Sequence, residues 1–177
     1  MTHDPAGELT RLIQIRNLPR DAVEIEATEA ERTHLARRFG INAVRALRAT
    51  VTLEPVGDAV RAAGHLAASI EQNCAVSGEP FHKDVDEPVE LLFVAARDEA
   101  PPRFDEEIEL DAGQLDEIPF DGDSFDLGEA VAQTLGLAID PYAEGPDADA
   151  ARAEAGIVAD DAPTGSLAAA LSALKLR

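Results

Sequence analysis

The chain has 177 residues, 45% of them hydrophobic, which suits one domain with a core of ordinary size and appended tails. It has neither an unbroken apolar run of about 18 residues nor a basic-then-apolar start, so neither a membrane-spanning helix nor a secretory signal is expected, and a cytoplasmic location is. The formal net charge of −20 falls wholly on residues 71–177, with six basic and 26 acidic side chains, whereas residues 1–70 hold nine of each. This argues against nucleic-acid binding by the second half, since such affinity is built on clustered Lys and Arg, and favours a basic protein partner.

In chain order, Leu9 to Arg16 is apolar and β-branched enough for a strand, and Asn17 to Asp21 breaks it as a turn. Val23, Ile25 and Ala27 alternate with Glu24 and Glu26, a strand with one wet face. Thr28 and Glu31 have the spacing of a capping box, so a helix is predicted over Glu29–Phe39, with Leu35 and Phe39 on one face and a stop at Gly40. Residues 47–70 read as a hairpin with its turn at Glu54 to Asp58. The return strand places Val60, Ala62, Gly64, Leu66, Ala68 and Ile70 on one face, although alanine content alone favours helix over Arg61 to Ser69.

The octet Cys74 to Phe81 reads as a turn, and Val89 to Ala95 as a strand buried on both faces. Residues 98–107 form an acid-rich loop, and Ile108 and Leu110 begin a short strand. A second helix is predicted over Leu127–Ile139, capped by Asp126 with Glu129 completing a capping box, and ended by Asp140-Pro141. Residues 143–177 form a flexible acidic tail with a short helical segment from Leu167 to Lys175, whose Leu167, Leu171 and Leu174 share one side. The expectation is α+β: residues 1–142 as a single domain with two main helices and an antiparallel sheet, either open or barrel-like, followed by the tail at 143–177.

Candidate chemistry is sparse. Cys74 is the sole cysteine; Ser77 stands where a zinc knuckle needs a second, and His3, His34, His65 and His82 are scattered, so no metal or other cofactor is expected. Glu106 and Glu107, with Asp105 and Glu109, are the nearest approach to a carboxylate pair, and a solvated acidic loop explains them better. Asp121-Gly122-Asp123 lacks the glutamate that completes a calcium loop, and neither a nucleophile elbow nor a phosphate-binding glycine loop is present. If RNA is touched, the candidates lie in the charge-balanced first half: Arg37, Arg38, Arg45 and Arg48, with Arg11, Arg16 and Arg20 behind them.

Cys74 with Gly78-Glu79-Pro80-Phe81, the strand Val89 to Ala95, the acidic Glu106 to Leu110, Phe125-Asp126-Leu127-Gly128-Glu129 leading to Leu135-Gly136-Leu137-Ala138, and the ending Pro163 to Leu176 together resemble the YceD family. The resemblance implies a bacterial factor in large ribosomal subunit assembly and 23S ribosomal RNA accumulation, and the lack of a catalytic constellation makes a non-enzymatic role the expectation. Its expected partner is a basic ribosomal protein or a pre-ribosomal particle, with any RNA contact indirect; the alternative is direct RNA binding by the arginines of the first half. The family's common pattern adds cysteines three residues after the first and beyond the second helix. Here Ser77 and the cysteine-free stretch from Tyr142 to Ile157 depart from it, and nothing in the sequence sets an oligomeric state.

Overall fold

The computed structural model describes residues 8–96 and 116–157. The alternation read across residues 47–70 becomes the centre of a five-stranded sheet. Strand β3 (Ala43–Val56) turns through Gly57-Asp58 into β4 (Ala59–Asn73), which returns against β5 (Pro80–Ala95). Gly57, at the first of the two turn positions, has φ of 61°, the left-handed backbone that a two-residue hairpin loop demands there. Val60, Ala62, Leu66, Ala68 and Ile70 are all buried on one face of β4. Alternation therefore overrides the helical preference of the alanines, because β4 is paired on both sides and its apolar side chains share one core.

Strand β2 (Val23–Glu26) adds to β3, and β6 (Asp116–Phe120) to β5, giving the order β2-β3-β4-β5-β6. Two expectations are corrected here. The β5–β6 pair is parallel, so the sheet is mixed, and it is open between its β2 and β6 edges with no barrel closure among the described residues. Val89 to Ala95 is also not buried on both faces: Val89, Leu91 and Phe93 point to the core, while Glu90 is exposed and Leu92 and Val94 are half-covered.

The N-terminal strand is shorter than Leu9 to Arg16: β1 (Leu12–Gln14) is followed by one 3-10 turn, Ile15–Asn17, and pairs with β7 (Ser124–Asp126) in a small second sheet. Helix α1 (Glu29–Phe39) has both bonds of its capping box, Glu31 N–H to the Thr28 hydroxyl and Thr28 N–H to the Glu31 carboxylate, and Gly40 closes it at φ 67°. Helix α2 (Leu127–Ala138) buries Leu127, Val131 and Leu135 against the sheet. Phe93 stacks on Phe125 with centroids 4.0 Å apart, joining β5 to the small sheet.

A third helix, α3 (Ala148–Glu154), lies in the stretch read as tail, so the described residues hold three helices where two main ones were expected. The expected strand at Ile108 and Leu110, the acid-rich loop at 98–107 and the segment Leu167 to Lys175 lie outside the described residues.

Candidate functional site

The four arginines proposed for RNA contact do not form one patch. A β-bulge in β3 makes Arg45 the extra residue: Val44 pairs with Ile70 and Ala46 with Ser69, leaving Arg45 unopposed and shifting the alternation so that Val44 and Leu47 both face the core. Arg45 then bonds Glu71 across the sheet at 2.5 Å. Arg48 reaches Glu26 at 2.8 Å on β2, and Arg38 forks onto both oxygens of Glu129 at 2.7 and 2.8 Å while touching Glu8. Arg11 likewise forks onto Glu31. These carboxylates neutralise the guanidinium groups, and Arg38 in turn holds Glu129 below the usual carboxylate range.

Arg37 has no ion-pair partner among the described residues. It lines a shallow groove between α1 and the start of β3 together with Arg32 and Arg45. Arg16 and Arg20, also without ion-pair partners among the described residues, lie on the exposed turn before β2.

The octet is a built turn. Gly78 N–H bonds the Cys74 carbonyl at 2.9 Å, Cys74 N–H bonds the Glu79 carbonyl at 2.8 Å, and Gly78 takes φ of 73°. The amides of Val76 and Ser77 both point at Cys74 Sγ, 3.4 Å away. The Ser77 hydroxyl and amide, then the Gly145 amide, hold the thiol down to about 7 despite its burial. Pro80 and Phe81 are not part of the turn but the first residues of β5, paired with Asn73 and Gln72. Phe81 is half-buried outside the main core, and its ring faces Gly145, where a Cβ would come within 3.1 Å of it. Ala75 N–H bonds the Ala143 carbonyl, so the chain after α2 is fastened to the octet.

The two amides aimed at one sulfur resemble a zinc knuckle in outline only. One thiol beside a serine hydroxyl is not a ligand set for zinc, and no group of three or more His, Cys, Asp or Glu side chains suited to a metal occurs among the described residues.

At the other end of α2, Asp126 Oδ1 accepts from Gly128 N–H at 3.0 Å, Glu129 N–H at 3.1 Å and Arg11 N–H at 2.7 Å. Asp126 thus caps the helix as expected, but Glu129 does not complete a capping box, because its carboxylate is drawn to Arg38 and Gln133. Leu127 N–H bonds the Arg11 carbonyl, and Gly128 lies so close to Leu9 that a Cβ there would be 2.5 Å from the Leu9 carbonyl oxygen.

The model of the family described as large ribosomal RNA subunit accumulation protein YceD matches residues 62–175. The chain belongs to the YceD family. Membership implies a role in the accumulation of large-subunit ribosomal RNA. Comparison with curated proteins and with solved structures gives no match. The YceD match begins in β4 and takes in the octet, β5, α2 and α3, while α1 and all the candidate RNA arginines precede it.

Within the matched region, Cys74, Gly78, Phe81, Asp126 and Leu127 have structural work that their geometry explains, whereas the side chains of Glu79 and Pro80 are exposed. Sequence reasoning did not reach the bond from Asp126 to Arg11, 115 residues apart, because nothing local signals it. Among the described residues no helix is long and apolar enough to cross a membrane.

Proposed function

We propose that this YceD-family chain is a non-enzymatic factor in large ribosomal subunit assembly and 23S ribosomal RNA accumulation, acting through its acidic surface on a basic ribosomal protein or a pre-ribosomal particle. The observation that carries the reading is electrostatic. Arg38, Arg45 and Arg48 are each held by a carboxylate of the chain, and the chain carries a net charge of −20. Such a surface accelerates encounter with a cationic protein and repels bare phosphate. The carboxylates Glu106 and Glu107, the only candidates for hydrolysis, lie outside the described residues and have no part in this reading.

A pull-down of purified large-subunit ribosomal proteins at low and high salt tests it. Capture at low salt that weakens as salt rises is the expected result, and no capture at either salt overturns the reading.

A second reading is favoured by one feature, the groove that gathers Arg32, Arg37 and Arg45. Direct RNA binding there predicts that the full chain shifts a ribosomal RNA fragment at low salt and that Arg37→Ala with Arg45→Ala abolishes the shift. No shift by the intact chain removes this alternative.

A further inference from the structure

Strand β6 covers β5 only from Leu91 to Ala95, so toward its start the outer edge of β5 has no strand partner among the described residues. Helix α2 packs beside this step, leaving a groove of about 840 Å³. Its apolar lining includes Leu91, Ile118 and Leu137, and its acids are Glu87, Glu90, Asp116 and Glu117. Among the described residues no Lys, Arg or His lines it, and none of the four acids has an ion-pair partner. Leu137 is 86% exposed, although Leu127 and Leu135 of the same helix are fully buried.

Three features together select an occupant. The apolar strip calls for apolar side chains, and the unpaired acids call for Lys or Arg around them. Pro88 has no backbone N–H and, with the acids flanking it, discourages strand addition along the β5 edge. An apolar face bordered by cationic side chains, without need of edge pairing, is the description of a basic amphipathic helix.

We propose that the α2–β5–β6 groove docks a basic amphipathic helix of a protein partner, its apolar face on Leu91, Ile118 and Leu137 and its cationic side chains over Glu87 and Asp116, the two acids that share the core-side face with Leu91. The proposal rests on the acidic-surface reading above and gives that surface a location. RNA is disfavoured at this groove because its rim repels phosphate.

Two labelled synthetic peptides of identical Leu, Lys and Arg composition test it by fluorescence anisotropy against the full chain. One carries Leu at i, i+3, i+4 and i+7; the other is scrambled. The patterned peptide is expected to bind about fivefold or more tighter, the advantage being the burial of its leucines. Leu137→Ser, a surface change verified by an unaltered thermal midpoint, should erase that advantage, and Glu87→Gln with Asp116→Asn should weaken both peptides and flatten the salt dependence. Equal binding of the two peptides, or an advantage untouched by Leu137→Ser, overturns the groove. If both peptides bind equally and salt releases them, the acidic-surface reading stands without the groove. If neither peptide nor any purified large-subunit protein binds at low salt, both fall.

Discussion

Cys74 is buried yet faces the amides of Val76 and Ser77, and this juxtaposition sets its chemistry. Hydrogen bonds donated to sulfur favour the thiolate, so the group should titrate near pH 7 in the folded chain, below the usual thiol value. Ser77→Ala removes the largest of these contributions and should move the titration, followed by thiolate ultraviolet absorbance, upward. An unchanged midpoint in that variant would contradict the assignment of cause.

At Glu31 the sign is that of a depressed carboxylate. The Arg11 guanidinium, with the Thr28 amide and hydroxyl, holds it at about 2 in the folded state. Its contribution to stability is therefore complete above the unfolded value near 4.3 and is lost as pH falls from about 4.5 to about 2. The Arg11 and Glu31 side chains are 31% and 21% exposed, so solvent screening limits the effect to about 1–2 kcal/mol. Urea unfolding across that pH range should show a shallower loss in Arg11→Ala than in the unaltered chain; parallel curves would exclude the pair as a source of the acid sensitivity.

Among the elements, α2 is one that ties the N-terminal segment around Leu9 to Arg11 to the rest of the fold. Its cap, Asp126, also receives the amide of Arg11, and Gly128 admits the Leu9 backbone where no side chain fits. Asp126→Ala should cost about 1–3 kcal/mol in urea or thermal unfolding, and Asp126→Asn, which keeps an acceptor oxygen, much less. Gly128→Ala should cost about 1–3 kcal/mol through overpacking against backbone. Equal stability of Asp126→Ala and the unaltered chain would show that the N-terminal segment is held some other way.

Legibility divides along the same line. The capping box at Thr28 and Glu31, the alternation from Val60 to Ile70 and the apolar stripe of α2 are local signals, and each yields its element. The bulge at Arg45, the Glu129–Arg38 fork and the Asp126–Arg11 bond depend on chain segments far apart in sequence, which periodicity cannot join. Helix α3 escaped because its seven residues include no apolar side chain larger than alanine and so give no apolar stripe; Ala148 is its one buried side chain. The parallel β5–β6 pair escaped as well, since hydrophobic pattern does not carry strand direction.

For the whole molecule, charge placement is the property on which the proposed function rests. Carboxylates outnumber guanidinium and ammonium groups by 35 to 15 in the sequence, and among the described residues most acids have no ion-pair partner beyond those held by Arg11, Arg38, Arg45, Arg48 and Arg152. A surface of this kind recognises a cationic protein by long-range attraction, and recognition of that kind weakens with salt.

The most direct measurement is sedimentation of the tagged full chain through a gradient of ribosomal particles at low and at high salt, with the bound fraction analysed for protein and RNA. The expected result is co-migration with precursors of the large subunit at low salt and release at high salt, together with a cationic protein rather than with bare RNA. Migration only as free protein at both salts, or co-migration that persists after all protein other than this chain has been stripped from the RNA, would contradict the account.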